Sequence, residues 1–125
     1  MGGRFSFLTG LGESIVMTPL QMTPAEAVPL LKDHSWIFID VREMDEFDYG
    51  HIPGIIHLPM SQSKPADFEK YPKTQKLMIV CRSGGRSGRV VQALREMGFS
   101  NACNFSGGMI GYNMVSEKHI PVLMH

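Results

Sequence analysis

Leu77-Met78-Ile79-Val80 sets four apolar residues in a row, without the alternation that marks a strand wetted on one face. Such a run reads as a strand buried on both sides, the pattern of a central strand in a parallel sheet. Parallel neighbours need crossover connections, usually helices, so this one strand calls for βαβ units on either side of it. The rest of the chain supplies them. Thr23-Pro24-Ala25-Glu26 offers a threonine N-cap, a proline in the first helical position and a glutamate at the third, which is a capping box. Pro29 deletes a backbone donor a turn later and predicts a kinked or short first helix. Trp36-Ile37-Phe38-Ile39 predicts a strand ending at Asp40, and residues 42–49 a short helix closed by Gly50. Residues 55–58 read as a strand stopped by Pro59, and 65–70 as a short helix. The clearest helix is 87–97, with Val90, Val91, Leu94 and Met97 on one face and Gly98 at its end. Residues 101–105 form a last strand, and Gly107-Gly108 leads into a helix over 109–115. Alternation of this kind implies an α/β domain with helices on both faces of the sheet.

With 125 residues, 43% hydrophobic and 19% charged, the chain is expected to form one globular domain over 20–125, preceded by a loosely ordered tail over 1–19. A formal net charge of zero argues against general nucleic-acid binding, which needs a basic surplus. No apolar stretch is long enough to span a membrane, and no secretory leader is evident at the N-terminus. Two cysteines, Cys81 and Cys103, are too few for a disulfide framework and favour a reducing compartment, hence a cytoplasmic location. They lie 22 positions apart without a histidine pair and do not compose a zinc site; neither a metal nor a cofactor is expected.

Charge is nevertheless uneven. Arg82, Arg86, Arg89 and Arg95 are four of the six arginines, while five of the twelve acids fall between Asp40 and Asp48. The arginine cluster begins where the central strand ends, at Cys81-Arg82-Ser83-Gly84-Gly85-Arg86-Ser87. Open parallel sheets bind ligands beyond the C-terminal ends of their strands, and Cys81 stands at such an end. A loop entering a helix presents free N–H groups and the positive end of the helix dipole, glycines let the backbone curl, and arginines add fixed charge. These features favour a cysteine held as thiolate, the nucleophilic form, beneath a bound anion. A buried core cysteine ahead of a turn would need none of them.

That loop resembles the active-site loop of the rhodanese, or thiosulfate sulfurtransferase, family. Ile39-Asp40-Val41-Arg42-Glu43, followed by Glu46-Phe47 and Gly50-His51-Ile52-Pro53-Gly54-Ile55, is similar to the family's N-terminal signature. Asn104-Phe105-Ser106-Gly107-Gly108-Met109, with Gly111-Tyr112, is similar to its C-terminal one. The resemblance spans about residues 20 to 115. It implies a three-layer α/β domain on a mainly parallel five-stranded sheet. It also implies that Cys81 takes a sulfane sulfur from an anionic donor such as thiosulfate, holds it as a persulfide, and yields it to cyanide, a thiol or a protein cysteine. On this reading Arg82, Ser83, Gly84, Gly85, Arg86 and Ser87 bind the substrate: the N–H groups of residues 82–86 hold the persulfide, the arginines attract the donor, and Ser83 and Ser87 donate hydrogen bonds, with a helix cap as the alternative role of Ser87. Arg86 has an alternative, pairing with one of the acids between residues 40 and 48.

Two other function classes share the fold. Phosphatases of this type place five residues between cysteine and arginine; here four separate Cys81 from Arg86, and Ser87 stands at the phosphatase arginine position. Non-catalytic rhodanese-like interaction modules typically lack the cysteine, which is present here. Asp40 and Arg42 are supporting candidates at the sheet edge. Asp40 is placed to cap the next helix, and Arg42 has i,i+4 spacing for a surface or hinge ion pair with Glu46. His51 is expected to order its turn by hydrogen bonding. Cys103, within a strand, is expected in the core, with exchange between the two cysteines open if their strand ends adjoin.

Overall fold

The computed structural model describes residues 5–8 and 14–124. Five strands form one sheet in the order β3-β7-β6-β4-β5, and every pairing in it is parallel. These are β3 (Gln21–Met22), β4 (Trp36–Asp40), β5 (Ile56–His57), β6 (Lys76–Val80) and β7 (Ala102–Phe105). As its four apolar residues require, β6 is central and is fully buried from Leu77 to Val80. The helices are α1 (Pro24–Ala27), α2 (Met44–Tyr49), α3 (Gly85–Glu96) and α4 (Gly108–Val115).

Strand alternation divides the core in two. Trp36, Phe38, Met78, Val80, Cys103 and Phe105 face one side, where Ala27 of α1 and Met109 and Tyr112 of α4 cover them. Ile39, Leu77, Ile79, Cys81 and Ala102 face the other, under Val91 and Leu94 of α3 and Phe68. The capping box forms: the Thr23 hydroxyl accepts the Glu26 N–H, and Glu26 accepts the Thr23 N–H. Pro29 has the expected effect, since α1 ends at Ala27 and continues as a 3₁₀ turn over Val28–Lys32.

Several boundaries depart from the sequence reading. The helix expected over 65–70 is a single 3₁₀ turn, Pro65–Asp67, because Phe68 leaves it to enter the core at 4% exposure. The strand expected over 55–58 keeps only two residues, since the Ile55 N–H is spent on a turn to Ile52. β3 was not foreseen; two residues carry no readable period, and the register with Asn104 and Phe105 is what makes them a strand. Within the segment expected as a loose tail, β1 (Phe5–Leu8) and β2 (Ser14–Met17) pair antiparallel, and the Thr18 hydroxyl donates to Asn101 Oδ1 at 2.8 Å; residues 1–4 and 9–13 of that segment lie outside the described residues. No helix among the described residues is long and apolar enough to cross a membrane.

Candidate active site

β6 ends at Val80 and delivers Cys81 into the turn before α3. Two contacts orient this turn. The Met109 and Ile110 N–H groups at the start of α4 donate to the Cys81 and Arg82 carbonyls at 2.9 and 3.1 Å. With these carbonyls turned toward α4, the following N–H groups are left for the sulfur. Gly84 sits at φ +106°, a conformation costly for any other residue, and caps α3. Its N–H donates to Cys81 Sγ at 3.0 Å, and the Ser87 hydroxyl lies 3.2 Å from the same atom. Gly108, at φ +54°, allows α4 to approach; a Cβ there would collide with the Cys81 carbonyl oxygen. Gly85, expected to help the loop curl, has no such need, because a Cβ would meet open space.

Cys81 is 1% exposed. Burial pushes its thiol up, but hydrogen bonds from the Ser87 hydroxyl and the Ser87, Gly84 and Ser83 N–H groups outweigh this, and the pKa falls below the ordinary thiol value. The arrangement is an anion cradle with the sulfur at its floor. Two clefts of about 190 and 300 Å³ lie elsewhere and are not lined by Cys81.

The arginines separate in space. Arg86 forms a two-point bond with Glu46 of α2, at 2.6 and 2.7 Å, so the alternative pairing holds and its charge is largely answered. Glu46 is 2% exposed, and its carboxyl is held down to about 2, chiefly by the hydrogen bond from Arg86. Arg86 is shifted up by Glu46 and, in smaller part, by the charge of Cys81, which places it within the field of the sulfur. Arg95 points away and ties β7 to the Thr18 and Pro19 carbonyls. Arg89 is exposed beside the smaller cleft. Arg82 makes no ion pair among the described residues; its Nη2 donates to Met124 Sδ at 3.2 Å. Ser83 is exposed at the rim of the loop, while Ser87 is fully buried behind the sulfur.

Two expectations about Asp40 and Arg42 are corrected. Asp40 does not cap α2; Glu43 does, and Asp40 Oδ1 instead accepts the Arg42 N–H at 3.0 Å. Arg42 is not a surface group. Both side chains are 0% exposed and joined at 2.7 Å, and Arg42 also donates to the Glu46 and Gly50 carbonyls. The pair thus ties the C-terminal carbonyls of α2 to the sheet, and α2 carries the Glu46 that holds Arg86. The physical reason is room: the strand end turns these side chains inward, where only each other and bare carbonyls can satisfy them. His51 behaves as expected, hydrogen-bonded to the Phe47 carbonyl at 2.8 Å and stacked on the Phe47 ring.

Cys103 is wholly buried in β7, and burial pushes its thiol up to about 12. It faces the opposite side of the sheet from Cys81, which closes the exchange route between them. Sequence reasoning missed two contributors. Asn104, quoted only as part of a motif, reaches both Ser87 and Gly84. Met124, far along the chain, reaches Arg82. A polar residue interrupting β7 was the available signal for the first; the second had none. Among the described residues, no cluster of three or more His, Cys, Asp or Glu is placed to hold a metal ion.

Comparison with known proteins bears on this geometry. Residues 23–114 match the rhodanese-like domain. The mouse thiosulfate sulfurtransferase/rhodanese-like domain-containing protein 3 is 30% identical, over 85% of this chain and 78% of that protein. The putative sulfurtransferase YtwF of Bacillus subtilis is 38% identical, over 64% of this chain and 76% of that protein. Other curated relatives are longer, and the chain spans 41% and 22% of the length of two of them. Among solved structures, the rhodanese-like domain protein of Staphylococcus aureus superposes with a TM-score of 0.67 at 28% identity, covering 83% of this chain and 98% of that one.

Proposed function

Because this chain belongs to the rhodanese-like domain family, we propose that it is a sulfurtransferase carrying sulfur as a persulfide on Cys81. The observation that carries the reading is the cradle: Sγ receives the Gly84 N–H at 3.0 Å under the positive end of α3 and lies 3.2 Å from the Ser87 hydroxyl. That geometry favours the thiolate, and a thiolate is the form that attacks sulfur. The Cys81 thiolate forms a bond to the outer sulfur of thiosulfate; the sulfur–sulfur bond of the donor breaks, and its electron pair leaves with sulfite. The negative terminal sulfur then sits against the loop N–H groups. In the second half-reaction cyanide or a thiolate attacks that sulfur, and the electron pair returns to Cys81. Two separated half-reactions give ping-pong kinetics. Arg82 is the cation that remains to attract the anionic donor; Arg86 acts through its pair with Glu46. A thiol or a protein cysteine is the acceptor class, and a reducing, cytoplasmic setting keeps Cys81 free.

The test is mass spectrometry of the purified chain before and after thiosulfate. A gain of one sulfur atom on Cys81, lost again on adding cyanide, is expected. Efficient Cys81-dependent hydrolysis of aryl phosphates without any sulfur gain would overturn the reading in favour of phosphoryl chemistry. The loop argues against that result, being one residue short of the phosphatase spacing.

A further inference from the structure

The chemistry above gives no role to Asn104. Its amide is nonetheless 8% exposed on the Cys81 face of β7, where Ala102 and Asn104 share a side. Asn104 Nδ2 donates to the Gly84 carbonyl at 3.1 Å, and Asn104 Oδ1 lies 2.6 Å from the Ser87 hydroxyl. The first contact fixes the second: turned over, the amide would set its oxygen against the Gly84 carbonyl oxygen. Gly88 makes the room, since a Cβ there would lie 3.3 Å from Asn104 Nδ2.

Ser87 has one hydroxyl proton and two claimants, Asn104 Oδ1 at 2.6 Å and Cys81 Sγ at 3.2 Å. With Cys81 as a thiol every group in the ring is satisfied. The S–H donates to Ser87, Ser87 to Asn104, Asn104 to Gly84, and the Gly84 N–H to the sulfur. On ionisation the sulfur needs the Ser87 proton, and granting it strands a buried amide oxygen. We propose that Asn104 is a positioning residue that competes with Cys81 for the Ser87 proton and so raises the pH at which Cys81 becomes a thiolate. The inference rests on Cys81 being the nucleophile and deepens the proposed function. In the persulfide the charge moves to the terminal sulfur, Sγ no longer needs Ser87, and the Ser87–Asn104 bond re-forms. Asn104 therefore favours the sulfur-loaded protein over the free thiolate.

The charged groups around Cys81 are Arg86 of α3, held by Glu46 of α2, Arg82 of the loop, and the mutually paired Asp40 and Arg42 at the end of β4. None contacts Asn104, so substituting it leaves them in place. The experiment is the pH profile of Cys81 alkylation by iodoacetamide in the full chain carrying Cys103→Ser. Asn104→Ala should move the midpoint down by about half to one unit, the worth of one hydrogen bond. In a Ser87→Ala background the same substitution should move nothing. Asn104→Leu, with the branching and number of side-chain heavy atoms of asparagine, is read the same way if the alanine variant does not fold. An unchanged or raised midpoint, or an equal shift without Ser87, would overturn the inference. The titration uses no sulfur donor. A chain that titrates as expected yet gains no sulfur from thiosulfate overturns the proposed function alone.

Discussion

The end of β6 and the middle of β7 each bury a cysteine, and the two thiols are driven in opposite directions. Cys81 is 1% exposed and Cys103 0%, so both suffer desolvation. Cys81 nonetheless falls below the ordinary thiol value while Cys103 rises to about 12. The difference lies in the donors. Within β7 the backbone N–H groups are spent on neighbouring strands, and Cys103 Sγ faces the Asn104 carbonyl, an acceptor, at 3.7 Å. At the end of β6 the ladder stops, the chain turns into α3, and N–H groups without a strand partner converge on the sulfur. Burial sets the penalty for charge; what reverses it is the place where backbone leaves the sheet.

Removing each thiol in turn is the largest way to break this comparison. Cys81→Ser should abolish thiosulfate-dependent sulfur gain, and Cys103→Ser should retain it; gain of sulfur by the Cys81 variant, seen by mass spectrometry, would reject Cys81 as the carrier. Next in size is an alkaline effect confined to Cys103. Its folded pKa lies above the unfolded one, so its contribution to stability is complete below about pH 9 and is lost as pH rises toward about 12. The full loss is on the order of 4 kcal/mol. Cys103→Ala should flatten chemical-denaturation stability over that window, against a constant offset for the lost methyl-sized volume, while Cys81→Ala should leave the slope in place.

Arg86→Ala sharpens the other side. Glu46 would lose its two-point partner, at a cost of about 1.5–3 kcal/mol for hydrogen bonds to a charged group. Because the Glu46 pKa is depressed, from 4.5 to about 2, its contribution is present above pH 4.5 and lost as pH falls through about 2. The variant should lack that acid-limb slope, and its Cys81 alkylation should move to higher pH with Cys103 unaffected. A parent-like acid limb in guanidinium titrations would show that the pair does not form. The smallest effect is expected from Gly84→Ala, where φ +106° costs an L residue about 1–2 kcal/mol. Relief of that strain swings the N–H off the sulfur. Alkylation of Cys81 should then need higher pH, and retention of the parent midpoint would assign the cradle to Ser83 and Ser87 instead.

Much of this site is written in short stretches of chain. Cys81, the αL glycine three residues on and the helix that follows are neighbours in sequence, and so are the Asp40 and Arg42 that bond each other. The capping box at Thr23 and the break at Pro29 are local in the same sense. Pairings between distant elements are only half written there: the sequence offers Arg86 a partner among the acids between residues 40 and 48, and the fold selects Glu46, forty residues away. A local pair is misread where two neighbours compete for it. The i,i+4 spacing of Arg42 and Glu46 suggested a surface pair, yet the inward turn at the end of β4 sent Arg42 to Asp40 and to backbone carbonyls.

By itself the sequence determined the α/β alternation, the central place of β6 and the cysteine at its end, because period, proline and glycine act over one or two turns of backbone. Tertiary structure alone decided the polarity of the site. It put β7 beside β6 with Asn104 on the Cys81 face, brought α2 against α3 so that Glu46 answers Arg86, and laid Met124 on Arg82. Hydrogen bonds and ion pairs act over about 3 Å, so their partners are set by the register of parallel strands joined through long crossovers, and no local pattern encodes that register.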